Sequence, residues 1–580
     1  MRQSFAWLVI AVCVLGIFYP SIFAEALSMD DQRMLQGLLN TQGLDLGELF
    51  WPSSSAYYYR PLLILSFYGD EILFGSQEAI SHLINICIHL ANTLLLYRLL
   101  RLMVPSGESE WPLLAALFFG IHPLVTEPVN WISGRTDLLA GFFVLLSAVV
   151  FVSNRGKTIG RDGLAACWYL CGLWSKEVAI GLLPVVCFVA VQEQGFALVR
   201  RWRAVAWRVG PFVAATLLYA LMRTGGRMVQ DIGIKTAVHG GHGAEYFSAI
   251  DKLFSLVKAI GFYAQKIIWP LPLNFAIVEI NRPVALAVGC AAIVGLIVVV
   301  ILCRRRAFLL GLVWIPCFLA PALPVAINRV AWTPLAERYL YLPLMGLSLL
   351  LVMALARMPR RTAAAGVMAA ILFAWGIVTT ERNIVWQTNL GLWQDVVEKS
   401  PNFSPGHNDY GIALMRAGKT EEGRWHLDRA ASLVAGKGEN LLLENRMQLS
   451  SALREATFEQ KITQMEEVVA STPKTVSRAP GLQSMIELID NALLRETFDQ
   501  EQRTAWIRKL LACRQQLAEL DSKPHNLYRI GQLHLALGEK AAAQAAFAKV
   551  CQSSNDYFTQ PACTLAKRLA QETAGHPDTN

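Results

Sequence analysis

Two adjacent carboxylates, Asp30 and Asp31, follow the first apolar run of the chain. Like charges beside each other at a bilayer surface push one pKa upward, because repulsion and partial desolvation both disfavour ionisation. A carboxyl poised in that way suits general base work. The same pair also reads as a helix N-cap, since MDDQRMLQGLL opens a helical pattern. Cap and oriented base are compatible. Further on, AYYYRPLLILSF sets Arg60 behind three tyrosines, a charge for phosphate beside flat faces for a sugar or isoprenoid. An interfacial aromatic belt accounts for the tyrosines as well, but less well for Arg60.

Three more turns carry side chains beyond what a connection needs. IHPLVTEPVNWISGRTDLLAG holds His122, Glu127, Trp131, Arg135 and Asp137. His122 reads equally as a satisfied interfacial histidine, and Arg135 and Asp137 as partners of each other. GLWSKEVAIGLL places Lys176 and Glu177 between two apolar runs, where such charges are costly unless paired or functional. NRVAWTPLAERYLYLPLMG brings Arg329, Glu337, Arg338, Tyr339 and Tyr341 to one turn. Several cations with at least three acids suit a phosphate-bearing lipid whose leaving group must be neutralised.

The elements that would position these residues are membrane helices. Of 580 residues, 54% are hydrophobic and 17% charged, against about a quarter charged in ordinary soluble domains. The deficit is confined to the part before about Thr380. A crossing needs about 20 apolar residues, and eleven runs qualify: Phe5 to Ala24, then about 80–103, 112–128, 137–153, 163–175, 178–192, 209–223, 284–302, 307–324, 340–357 and 362–380. The first resembles a cleavable signal at FAEA, but the spans that follow favour an uncleaved helix. Basic clusters follow alternate runs, such as Arg155, Lys157 and Arg161, or Arg304, Arg305 and Arg306. By the positive-inside rule these are cytoplasmic. The net charge of +8 is thus topological and implies no nucleic-acid partner. The lysine-bearing segment 247–279 is expected as an amphipathic helix on the outer face, because an even number of crossings must separate the flanking basic clusters. These assignments make an all-α polytopic protein of the inner (cytoplasmic) membrane, with the C-terminus extracytoplasmic. The domains are expected at 1–383 (membrane, first external loop about 25–75) and 384–575 (helical repeats).

The polar tail has tetratricopeptide character. SPNFSPGHNDYGIALMRAGKTEEGRWHLDRAASL shows a small residue after Tyr410, a turn at Gly418 and the Ala430–Ala431 pair. HNLYRIGQLHLALGEKAAAQAAFAKV repeats the pattern with Tyr528, Gly531, Gly538 and Ala545. Between them, about 432–520 is helical by periodicity but degenerate. Stacked helix pairs of this kind present a concave face that takes peptides, or else serve as a cap. The eleven cysteines show no CxxC pair and no metal spacing. An oxidising compartment would permit a Cys551–Cys563 disulfide, a pairing the sequence leaves open.

In order along the chain, the DD-bearing first loop, YYRPL, the HP…TE…GR.DLL turn, the SKE turn and ERYLYLP resemble the transmembrane and tetratricopeptide-repeat O-mannosyltransferases, membrane glycosyltransferases of the GT-C fold. The resemblance covers most of the chain. It implies an inverting transferase that uses a polyprenyl-phosphate-linked monosaccharide, with no cofactor and no metal. Its acidic motif falls on Asp30 and Asp31, one of which would take the proton of an acceptor hydroxyl. Arg60, Arg135, Lys176 and Arg338 become candidates for the lipid phosphate, with His122, Glu127, Asp137, Glu177 and Glu337 beside them. The acceptor would be a protein or a glycan, held by the repeats. Only two repeats are clear here, where eukaryotic members carry long arrays; a bacterial chain would use undecaprenyl phosphate, and its sugar need not be mannose.

Two other readings fit parts of the chain. An oligosaccharyltransferase using a lipid diphosphate would need a metal in a large external loop, and about 224–250 offers Asp231, His239, His242 and Glu245. A membrane-anchored repeat scaffold without enzymatic activity would explain the tail, but not the charged turns.

Overall fold

The computed structural model describes residues 3–27, 31, 46–51, 59–75, 77–104, 110–154, 158–195, 198–223, 249–278, 280–302, 306–328, 333–433, 457–470, 478–495, 498–520, 524–552 and 559–574. These residues are helical almost throughout, and they divide into two compact units at Ser400.

The helices of the first unit form because their apolar length leaves the backbone no other way to satisfy its own hydrogen bonds in a bilayer. They are α1 (Gln3–Phe18), α2 (Pro61–Phe74), α3 (Glu78–Met103), α4 (Glu110–Gly120), α5 (Arg135–Asn154), α6 (Ile159–Ser175), α7 (Leu182–Glu193) and α8 (Leu198–Arg223). After these come α9 (Ala249–Ile268), α10 (Arg282–Leu302), α11 (Arg306–Leu319), α12 (Tyr341–Leu355), α13 (Arg361–Val385) and α14 (Asn389–Lys399). Among the described residues, eight helices are long and apolar enough to cross a membrane, nine if the bent pair Glu110–Gly120 and Pro123–Asn130 counts as one. The difference from the eleven expected lies in the runs 163–175 and 178–192. They form α6 and α7, of 17 and 12 residues, which meet at a break around Lys176.

Segment 247–279 is helical over Ala249–Ile268, as expected, and this helix is not among the eight long and apolar enough to cross a membrane. Its helix α9 runs antiparallel along α10. A Cβ on Gly261 would lie 1.7 Å from the Ala285 carbonyl oxygen, and one on Gly289 would lie 2.1 Å from that of Val257. Two glycines thus let the backbones touch, as small residues do between membrane helices.

The centre of the unit is α3, which turns a polar stripe inward. Ser81, His82, Asn85, His89, Asn92 and Thr93 are all buried. Nε2 of His89 lies 2.9 Å from the Gly120 carbonyl oxygen, and so must carry the proton; Nδ1 then accepts from the Tyr341 hydroxyl at 2.9 Å. Asn92 donates to the same hydroxyl oxygen at 2.9 Å. The stripe fixes α3 against α4 and α12.

The second unit is built of helix hairpins. Its helices are α15 (Ser404–Arg416), α16 (Thr420–Ser432), α17 (Phe458–Ala470), α18 (Ala479–Arg495), α19 (Gln500–Leu520), α20 (Pro524–Ala536), α21 (Lys540–Gln552) and α22 (Thr559–Ala574). Two hairpins close in the same way. Gly418 and Gly538 both have positive φ, and the next residue's N–H reaches the fifth carbonyl back, Lys419 to Leu414 and Glu539 to His534, each at 2.9 Å. Gly531 sits against the Phe547 ring. Ile462, Met485, Ile486, Ile489 and Leu510 form a separate core between α17, α18 and α19. Cys551 and Cys563 are joined by a disulfide with Cα atoms 5.0 Å apart.

Candidate active site

The turns singled out in the sequence gather at one end of the first unit. Asp31 is buried there, 1% exposed. Its carboxylate accepts from the Ser133 N–H at 2.8 Å, the Ser133 hydroxyl at 2.5 Å and the Leu27 N–H at 3.2 Å. Burial pushes its pKa up to about 6, outweighing those hydrogen bonds, which lower it. Asp31 is therefore half-ionised near pH 6 and largely ionised at neutral pH. Asp30, the other expected base, lies outside the described residues, as do residues 32–45 that a cap would serve.

The partner of Asp31 is supplied by the connection between α4 and α5. His122 is fully buried, accepts from the Leu124 N–H at 3.2 Å and packs on Trp375, so it shapes the turn. Asn130 ties the connection to Asn383 at 2.7 Å. Gly134 allows the chain to double back, since a Cβ there would lie 2.5 Å from the Pro128 carbonyl oxygen. Ser133 is thereby held facing Asp31.

Around this pair lie five ion-paired groups. Glu127 accepts from the Arg338 N–H at 2.9 Å and from its guanidinium at 2.5 Å, and that guanidinium stacks over Trp131. Lys176 is bidentate to Asp137 at 2.6 and 2.7 Å and lies over the Tyr339 ring. Glu337 accepts from Lys266 at 2.6 Å and from the Asn274 N–H at 3.1 Å. Arg135 is fully buried; it pairs with Asp70 at 2.7 Å, donates to Asn85 and to the Ser81 carbonyl, and covers Phe67. Its partner is therefore Asp70 of α2, while Asp137 goes to Lys176. Last, Glu177 bridges two guanidinium groups, Arg60 at 3.2 Å and Arg223 at 3.1 Å. Burial would raise the Glu177 pKa, but Arg60 and Arg223 hold it down at about 2. Lys176 is depressed by its own burial, which the Asp137 charge opposes.

Every described residue expected at the site is thus near this end, with His122 and Arg135 serving the scaffold beneath. Sequence reasoning missed Asp70, Lys266 and Arg223. Each had a local sign: a charge inside or closing an otherwise apolar helix, as in SFYGDEIL, GFYAQKII and LYALMR. The loop with Asp231, His239, His242 and Glu245 lies outside the described residues, and so does Arg329.

What this arrangement can do is general base chemistry beside a cluster of cations. No family model matches the chain. Among curated proteins, the protein O-mannosyl-transferase tmtc2 of Xenopus laevis is 36% identical over 146 residues, 24% of this chain and 17% of that protein. TMTC4 of Mus musculus is 25% identical over 484 residues, 70% of this chain and 64% of that protein. Tmtc3 of Drosophila melanogaster is 22% identical over 522 residues, 74% of this chain and 55% of that protein. The chain spans less than two thirds of the length of each. The resemblance carried by the motifs stands on these alignments: the curated relatives of this chain are protein O-mannosyl-transferases.

Proposed function

We propose that this chain is a membrane glycosyltransferase that moves one sugar from a polyprenyl-phosphate donor to a hydroxyl of a protein or glycan at the extracytoplasmic face. The observation that carries the reading is Asp31: a buried carboxylate, fixed by Ser133 and titrating near 6, beside a cluster of cations. In the reaction, ionised Asp31 takes the proton of the acceptor hydroxyl as its oxygen attacks the anomeric carbon. The bond from that carbon to the phosphate oxygen breaks on the opposite side, so the configuration inverts. The electron pair leaves with the polyprenyl phosphate, whose charge the neighbouring cations neutralise. The names of the relatives support mannose as the sugar and protein as the acceptor.

Two features support an inner-membrane protein with the repeat unit outside, in the periplasm. Basic clusters follow alternate apolar runs, and a disulfide belongs to an oxidising compartment. The repeat unit, in this reading, holds the acceptor polypeptide. The test is a transfer assay on membranes expressing wild type or Asp31→Asn, following label from a panel of polyprenyl-phosphate sugars into protein and glycan. Label that depends on Asp31 establishes the enzyme; equal label in both variants removes the mechanism.

A further inference from the structure

A groove of about 480 Å³ lies between the chain that leaves α9, the last turns of α13 and the helix α14. Trp269, Leu271, Val378 and Val385 give it apolar walls, and Arg382, Lys399, Asp395 and Glu381 are its charged lining. α13 is one of the eight helices long and apolar enough to cross a membrane, so its last turns lie where lipid headgroups meet water. Exposed apolar side chains continue along the same helices: Phe373, Ile377 and Ile384 on α13, and Ile268 beside Trp269 at the end of α9. A membrane interface favours tryptophan in such a position. The charges of the groove are unevenly matched. Arg382 is buried, and among the described residues its guanidinium makes one ion pair, to Asp395 at 2.6 Å. Asp395 serves Lys399 as well, whose Nζ also donates to the Leu273 carbonyl at 2.8 Å. Two cations thus share one carboxylate. Glu337, whose charge Arg382 also feels, is closed by Lys266. Glu381 is exposed and has no ion pair among the described residues. Most of the guanidinium's donors are therefore uncommitted, and so is the carboxylate next to it in the chain.

We infer that this groove holds the headgroup of a phosphatidylethanolamine from the surrounding bilayer. The phosphate takes the uncommitted donors of Arg382, the ammonium donates to Glu381, and the acyl chains follow the exposed apolar faces of α13 and α9. Charge decides among the common phospholipids. The lining carries two cations and two carboxylates, which sum to zero with the signs set apart, and a phosphoethanolamine group does the same. Phosphatidylglycerol brings a net negative charge and no cation for Glu381. Phosphatidylcholine has a cation, but its trimethylammonium lacks an N–H to donate. An isoprenyl phosphodiester likewise has nothing for Glu381. None of the charged residues lining the groove takes part in the sugar transfer proposed above, so the lipid site stands apart from the transferase reading.

The experiment uses the full chain in neutral detergent micelles, titrated with dioleoyl phosphatidylethanolamine, phosphatidylcholine or phosphatidylglycerol, with bound lipid counted by native mass spectrometry. One phosphatidylethanolamine is expected to bind about tenfold more tightly than either of the others, the gain typical of a charge-assisted hydrogen bond. Glu381→Gln should erase that preference by bringing phosphatidylethanolamine down to the level of phosphatidylcholine. Arg382→Gln should weaken all three lipids about tenfold, because each has a phosphate. Val378→Trp, which fills the groove and alters no charge, should abolish the tight site. Because Glu381 is exposed, its variant tests the site even where Arg382→Gln, which also loses the Asp395 pair, fails to fold. Equal affinity for phosphatidylethanolamine in wild type and Glu381→Gln overturns the inference. So does a wild type that prefers phosphatidylglycerol, or tight binding that survives Val378→Trp. Displacement of the bound lipid by an equimolar amount of farnesyl methyl phosphate, an isoprenyl phosphodiester, would give the groove to the donor and also overturn it.

Discussion

The two units of the chain use charge in opposite ways. In the membrane unit, paired residues come from distant parts of the sequence and are buried. Glu127 and Arg338 are 211 residues apart, Lys266 and Glu337 71, and Lys176 and Asp137 39. In the repeat unit several pairs are local and wet: Lys419–Glu422 and Arg424–Glu421 are one helical turn apart and more than half exposed. Exposed pairs of this kind contribute about 0–1 kcal/mol. Buried pairs cost several kcal/mol of desolvation per ion before attraction repays it. A fold that needed only stability would fill the end of the membrane unit with apolar side chains, as the repeat unit fills its core. The contrast points to chemistry in one unit and scaffolding in the other.

The largest effect should follow from removing the charge of Asp31 alone. Asp31→Asn is expected to lower the rate of sugar transfer by about 10²- to 10⁴-fold, the range of general base catalysis, without lowering the unfolding temperature, since the substituted group is one whose ionisation burial opposes. A fall in thermal stability as large as the fall in rate would move Asp31 from chemistry to structure and break the comparison.

The converse change lies in the repeat unit. Phe547 is fully buried, under Gly531 and against Tyr528. Phe547→Ala should cost about 3–5 kcal/mol of local stability, read as lost hydrogen-exchange protection in α20, α21 and α22 of the full chain. Asp31-dependent transfer to a short acceptor peptide should persist. Its loss would mean that the repeats take part in the reaction itself. Cys551→Ser is milder: opening a loop of 12 residues should cost about 3 kcal/mol, visible as faster proteolysis of the C-terminal helices, again with transfer to a short peptide retained.

What the sequence made legible follows from which forces act locally. Apolar length located the membrane helices, and a turn glycine with small residues at fixed offsets located both hairpins, because Gly418 and Gly538 answer to backbone conformation alone. The residues gathered at the site were legible as charges in places where charge is expensive. Their partners were not. Arg135 sits two residues from Asp137 yet reaches Asp70, because the first turn of α5 points its guanidinium between α2 and α3. Helix rotation of that kind is set by packing between elements with no strong polar face to reveal it. The same holds for α9: its amphipathic pattern was legible, but not that Lys266 turns inward to Glu337 or that two glycines seat the helix against α10.

The finest test of the comparison is a hydroxyl. If buried charge in the membrane unit serves chemistry, then the hydrogen bonds around Asp31 tune its ionisation. As a base, Asp31 works ionised, so activity should be full above its pKa of about 6 and fall tenfold per pH unit well below it. The Ser133 hydroxyl stabilises the ionised form. Ser133→Ala keeps the backbone N–H and removes that hydroxyl, a loss of about 1 kcal/mol, equivalent to roughly 0.7 of a pH unit. The acidic limb of the kcat/KM profile should therefore move upward by about that amount, while the rate on the alkaline side of the limb changes little. A limb that moves downward, or a uniform loss at every pH, would mean that Ser133 positions the turn without tuning the acid. Ser133→Thr, which keeps the hydroxyl, should return the limb to its place.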